Sequence, residues 1–241
     1  MSDFTKQNID EYLKKLAKRF RKLNGTRVPA EIILVGGASV LINYGFREKS
    51  NDIDAIIQAS SAMKDVINQI RDEENLPQDW INSDFTHTAS YSPFLRIYSK
   101  HYRTFSNIVE IRTVSGEYLI AMKLMSGRKY KNDLSDVIGI LKEESASGNT
   151  ISMEQIRDAV KNLYGSYDAL PDDSKAFIEK LMERLGKNDE ADIYAEFVEQ
   201  EKSNKASLIE FESEYPDVLN EDNISDILSI IEQRAKKIKA V

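Results

Sequence analysis

Glu31-Ile32-Ile33-Leu34-Val35 is a short apolar run of the kind that forms a buried strand, and it ends in Gly36-Gly37. Ala38-Ser39-Val40-Leu41 follows, and 15 positions after Gly37 comes Asp52-Ile53-Asp54, continued by Ala55-Ile56-Ile57-Gln58. Strand side chains alternate faces, so Asp52 and Asp54 should point the same way, about 7 Å apart along the chain. Two carboxylates on one face repel unless a cation lies between them. Mg²⁺ suits that place, because it takes carboxylate oxygens together with substrate phosphates.

The glycines have their own chemistry. Without a side chain, the backbone at Gly36 and Gly37 can approach a phosphate closely. The N-terminus of the following helix offers unpaired N–H groups and partial positive charge, and Ser39 adds a hydroxyl. Taken singly, a diglycine is often a structural turn and an Asp-x-Asp often a surface turn. Here Ile53 and Ala55-Ile56-Ile57 put the aspartates at the start of a core strand, where unpaired carboxylates are costly.

The rest of the chain falls into helices and strands around this pair. Ile9, Leu13, Leu16, Phe20 and Leu23 recur at helical spacing over 7–24, with Lys14, Lys15, Lys18, Arg19, Arg21 and Lys22 between them. That charge run reads as a solvated face or as a surface tracking phosphate. Helices are expected over 38–45 and 60–74, and strands over 31–35 and 52–58. Short strands and loops are expected over 78–107, and Ile108–Val114 alternates as a strand. Ser115 is placed to cap a helix running to Ser126, and Asp133 opens another to about Glu144. Ser145–Asn149 reads as a linker. Beyond it only helices are expected, over 152–164, 172–186, 189–213 and 221–239. The organisation is an N-terminal amphipathic helix (1–28), an α/β core (29–148) and an all-helical C-terminal region (149–241).

Composition narrows the chemistry. There is no cysteine and there are only two histidines, His87 and His101, which removes disulfides, thiolate zinc sites and His-rich metal motifs. No apolar run is long enough to cross a membrane and no signal peptide is apparent, so a cytoplasmic protein is expected. The net charge of −7 is uneven: residues 1–150 hold 21 basic and 19 acidic side chains, residues 151–241 hold 12 and 21. A polynucleotide should therefore meet the N-terminal half.

Val35-Gly36-Gly37-Ala38-Ser39 followed by Asn51-Asp52-Ile53-Asp54-Ala55-Ile56-Ile57 resembles the signature of the polymerase-beta-type nucleotidyltransferase superfamily, with a spacing at the long end of that family's range. Within it the chain is most similar to the minimal AbiEii-type toxins of abortive-infection and toxin–antitoxin systems. These pair the two motifs with a helical lysine and an Asp-x-x-Asp, which here would be Lys123 and Asp133-Leu134-Ser135-Asp136, with Arg128 between. The similarity spans roughly residues 31–142.

The resemblance implies a small mixed sheet flanked by helices, and transfer of a nucleoside monophosphate from an NTP, assisted by two Mg²⁺ ions held by Asp52 and Asp54. Lys123 would neutralise triphosphate charge, and Asp133 or Asp136 would orient the lysine or touch substrate. It also implies tRNA, a protein or a small molecule as acceptor, and an antitoxin as possible partner of the acidic helical half. A degenerate, catalytically inactive domain that only binds nucleotide or a protein partner is the alternative. Family members carry a third carboxylate on a neighbouring strand. Glu110 is the candidate, either facing the site or standing as an exposed polar residue on a half-buried sheet. His87 and His101 read as surface or loop residues, and the aromatics between Trp80 and Phe105 as core more than as a base-stacking platform.

Overall fold

The computed structural model describes residues 3–186, 192–220 and 223–239. Five strands are present: β1 (Ala30–Leu34), β2 (Ile53–Gln58), β3 (Ile81–Asn82), β4 (Ser99–Phe105) and β5 (Val109–Val114). They form one mixed sheet in the order β3-β2-β1-β5-β4. β1 is central, antiparallel to β2 and parallel to β5. It shows no polar alternation after Glu31 because both its faces are covered. Ile32 and Leu34 enter one apolar layer and Ile33 and Val35 the other.

The first layer packs the sheet against α1 (Lys6–Asn24) and α3 (Ala62–Glu74), with the fully buried Trp80 between. The second packs it against α4 (Gly116–Ser126), α5 (Asp133–Ala146) and α6 (Met153–Tyr164). Ile178 and Leu181 of α7 (Asp172–Gly186) and Ile193 of α8 (Ile193–Glu214) belong to this second layer as well. α9 (Ile224–Lys239) packs on α8. This is the expected fold: a small mixed sheet flanked by helices, with helices alone after it. No helix among the described residues is long and apolar enough to cross a membrane.

Several local expectations shift. The helix after the diglycine, α2 (Gly36–Asn43), begins at Gly36 itself, because the chain turns as soon as it leaves β1. α1 is capped by Thr5 in a capping box with Asn8 and buries Ile9, Leu13, Leu16 and Phe20, but Leu23 is 52 % exposed. The basic run of α1 is not a surface of the second layer. Lys15 and Arg19 pair with Glu74 and Glu73 of α3 at 2.7 and 2.6 Å, on the opposite face of the sheet from α4 and α5. Ser115 occupies the N-cap position of α4, yet its hydroxyl donates to Glu117 and caps no backbone N–H. Of the expected helical residues, 189–191 and 221–222 lie outside the described ones.

Close packing leaves no room for a side chain at Gly139 of α5, where a Cβ would lie 2.5 Å from the Phe46 ring. Phe46 is held between Tyr44 and Tyr194, with ring centroids 5.8 and 5.6 Å away. Gly139→Ala is expected to lower stability by about 1–3 kcal/mol despite the better helix propensity of alanine. Trp80 is the only tryptophan, so urea titration of its fluorescence measures this directly. An unchanged midpoint would mean that the 44–50 loop simply gives way.

Candidate active site

Antiparallel pairing of β1 and β2 brings the exit of one against the entry of the other, and the Val35 N–H donates to the Asp54 carbonyl at 3.0 Å. Gly36 therefore sits directly beside the Asp54 side chain. Its φ is 52°, in the left-handed region, and a Cβ there would stand 3.2 Å from Asp54 Oδ2. Glycine is required both for the turn and for the approach. No side chain caps α2, whose N-cap is Val35, so its first N–H groups are free to meet an anion. Arg47 leans over this helix start: the site of a Gly37 Cβ is 2.8 Å from the Arg47 guanidinium and 2.8 Å from Ser50 Oγ.

Asp54 lies within β2 and Asp52 one residue ahead of it. Neither carboxylate takes a hydrogen bond or an ion pair from the described residues. Burial and the neighbouring Asp52 charge push the Asp54 carboxyl up to about 6, against the opposing pull of Lys123, Arg128 and Lys131. These five side chains thus feel one another across a single cleft.

The cations are held by a buried chain of alternating charges on α4 and α5. Lys123 Nζ pairs with Asp133 Oδ1 at 2.9 Å and with Asp136 Oδ2 at 2.7 Å. Arg128 Nε reaches Asp133 Oδ2 at 2.8 Å, and Arg47 Nη1 reaches Asp136 Oδ2 at 2.5 Å. Asp133 is completely buried, which by itself would raise its pKa, but Lys123 and Arg128 outweigh burial and hold it well below the usual carboxylate range. Burial likewise works against the Lys123 charge, and Asp133 and Asp136 reverse it, so its pKa stands above the ordinary value. The Lys123 ammonium is committed to two carboxylates and acts on Asp54 through its field.

Two expected members of the site are elsewhere. Ser39 is fully buried and its Oγ accepts the Val114 N–H at 3.0 Å, fastening α2 to β5 instead of facing the cleft. Glu110 shares the Asp54 side of the sheet but is in register with Glu31, about 13 Å along the strand direction from the level of Asp54. It is bound by Arg112 at 2.8 Å, which together with His101 holds its carboxyl below the usual range. A third carboxylate from Glu110 is therefore not brought to Asp52 and Asp54. His87 and His101 are exposed, and Trp80, Phe85 and Phe105 are core.

Three residues were missed by sequence reasoning. Arg47 lies in the 44–50 loop, where no spacing rule marks it. Lys131 belongs to the basic run Arg128-Lys129-Tyr130-Lys131 between the two expected motifs, which was a legible signal. Glu201 of α8 accepts the Leu134 N–H at 2.9 Å and the Ser135 N–H at 3.4 Å, capping the helix that carries Asp133 and Asp136. It stands four and eight residues beyond Phe197 and Ile193, a polar residue on an apolar stripe.

The donor set fits a divalent cation of a particular kind. No group of three or more His, Asp or Glu suited to a metal occurs among the described residues, so the protein alone builds no closed cage. Two unpaired carboxylates beside an uncapped helix N-terminus match Mg²⁺ arriving with phosphate oxygens, since that ion keeps waters and takes one or two carboxylates.

Two outcomes test this electrostatic reading. Because the folded-state pKa of Asp54 is raised, the folded protein binds that proton more tightly than the unfolded chain, and stability falls as pH rises from 3.8 through about 6. In metal-free buffer Asp54→Asn should therefore stabilise the protein by roughly 1–3 kcal/mol at pH 7.5 and by almost nothing at pH 4, read from urea unfolding. Asp133→Ala leaves the buried Lys123 with Asp136 alone and takes the anion from the half-buried Arg128, and should cost about 3–5 kcal/mol, measured the same way.

No curated protein is significantly similar to this chain. The family model described as "Nucleotidyltransferase of unknown function (DUF6036)" matches residues 11–176. The matched span holds both glycines, both aspartates of the cleft and the whole ion chain, while α8 and α9 fall outside it. The chain belongs to this family of nucleotidyltransferases.

Proposed function

We propose that the protein transfers a nucleoside monophosphate from an NTP to an acceptor hydroxyl or phosphate, using Mg²⁺ held by Asp52 and Asp54. The observation that carries this reading is the close approach of Gly36 to Asp54, which sets an uncapped helix N-terminus beside two unpaired carboxylates. The N–H groups of α2 and the Arg47 guanidinium would bind the phosphates that leave as pyrophosphate. Lys123 and Arg128 would supply positive field at the cleft, with Asp133 and Asp136 fixing where those cations stand. The acceptor oxygen would bond to the α-phosphorus as the bond to pyrophosphate breaks, a hydroxyl acceptor losing its proton to water. Asp52 and Asp54 would hold the Mg²⁺, whose charge would polarise phosphoryl oxygens and offset charge that develops in the transfer.

The ordered set Gly36, Gly37, Asp52, Asp54, Lys123, Asp133 and Asp136 also supports the AbiEii-like reading. In that reading the acceptor is tRNA or a protein, and the enzyme is a toxin controlled by an antitoxin. The presence of two carboxylates and not three favours one other reading, a domain that binds nucleotide without turning it over. Incubation with α-labelled NTPs, Mg²⁺ and tRNA, protein or small-molecule acceptors separates them. Wild type should transfer label, and Asp52→Ala and Asp54→Ala should each lose at least about a hundredfold in rate. Equal labelling by wild type and variants would sink the proposal, and tight Mg²⁺-dependent NTP binding without transfer would establish the binding module.

A further inference from the structure

A cavity of about 360 Å³ opens next to the cation cluster, between the start of α5 and helices α7 and α8. Gly127 and Lys129, on either side of Arg128, line it, and so does Leu134, the neighbour of Asp133. It therefore begins about 4 Å along the chain from residues that border the proposed phosphate site. Its walls are mostly apolar, and two of them are Phe177 and Phe197, whose rings meet edge to face with centroids 5.3 Å apart.

Lys129, Asp173, Ser174, Lys180, Gln200, Asn204 and Glu232 also reach the lining, and Glu201 is the buried carboxylate among its polar side chains. Glu201 is 3 % exposed, and its Oε1 is used by the Leu134 and Ser135 N–H groups. Its Oε2 is buried and accepts no hydrogen bond from the described residues. An unpartnered acceptor in an apolar site is costly unless a ligand donates to it. Gln200 and Asn204 stand beside it on α8, bonded to each other at 2.7 Å, and Asn204 donates to the Lys129 carbonyl at 2.8 Å, which ties this wall to the basic run. A flat apolar body with an N–H or amino edge fits these walls. Of the groups an NTP brings, its nucleobase alone has that form, and a purine has the larger face to set against the phenylalanines.

We propose that this cavity is the nucleobase subsite of the enzyme and takes a purine, with Phe177 and Phe197 packing on its rings and Glu201 Oε2 accepting from its amino or ring N–H edge. This rests on the nucleotidyl-transfer reading above and adds the class of NTP to it. It also gives α8, outside the matched family span, a part in choosing the substrate.

The test is calorimetric binding, with Mg²⁺, of ATP, GTP, CTP, UTP and inorganic tripolyphosphate to the full chain. The variants are Glu201→Gln, which keeps the acceptor for α5 but replaces Oε2 by a donor, and Phe197→Leu, which keeps apolar bulk. Thermal melting checks that both fold. ATP or GTP should bind wild type at least about tenfold more tightly than CTP, UTP or tripolyphosphate, and both variants should erase most of that advantage while still binding tripolyphosphate. Which of ATP and GTP leads identifies the donor edge that Glu201 reads. Equal affinity for all four NTPs, or a purine preference untouched in both variants, would overturn the subsite and leave the phosphate site standing. Failure of wild type to bind tripolyphosphate or any NTP would remove the function proposal and this inference together.

Discussion

The alternation Arg128–Asp133–Lys123–Asp136–Arg47 is the interaction on which the cleft depends. Each ion in it is at least partly withdrawn from water, and each is tolerable only because its neighbours carry the opposite charge. The chain joins three segments: α4 supplies Lys123, α5 supplies both aspartates, and the 44–50 loop supplies Arg47. Replacing such a network by apolar side chains often leaves a fold no less stable. What it provides here is position, since Lys123 and Arg128 are held where their charge acts on Asp54, and Arg47 beside the start of α2.

The apolar core makes that placement possible. β1 is buried on both faces and forces β2 and β5 into register around it. The antiparallel β1–β2 pairing then sets Gly36 against Asp54. Gly139 lets Phe46 lie flat on α5, and that ring anchors the loop from which Arg47 reaches Asp136. Glu201 secures the other end of the arrangement by capping α5 from α8. The helical C-terminal region is thus structurally continuous with the cleft: α6, α7 and α8 share an apolar layer with α4 and α5.

Much of this was legible along the chain because it is local. The period of α1, the doubly buried β1 and the alternation of β5 follow from side-chain spacing alone. Gly36, Gly37, Asp52 and Asp54 stand out for the same reason, whereas Lys123, Asp133 and Asp136 were legible only through the resemblance to the nucleotidyltransferase superfamily. Glu110 was misplaced because alternation tells which face a residue takes but not how far along the sheet it lies, and Ser39 because its place in the first turn of a helix does not tell what its hydroxyl meets. Ser39 met a backbone N–H of β5, and Glu110 met Arg112 at the far end of the sheet.

The sequence by itself determined the class of fold, the glycine turn and the identity of the two carboxylates. These depend on backbone sterics and on patterns a few residues long. Only the tertiary structure decided that Lys123 is already paired with Asp133 and Asp136, that Arg47 covers the start of α2, and that a carboxylate from α8 caps α5. Those contacts join residues on different elements of the fold. They are selected by how the helices pack on the sheet, where burial makes an unpaired charge too costly to keep, and no local pattern carries that information.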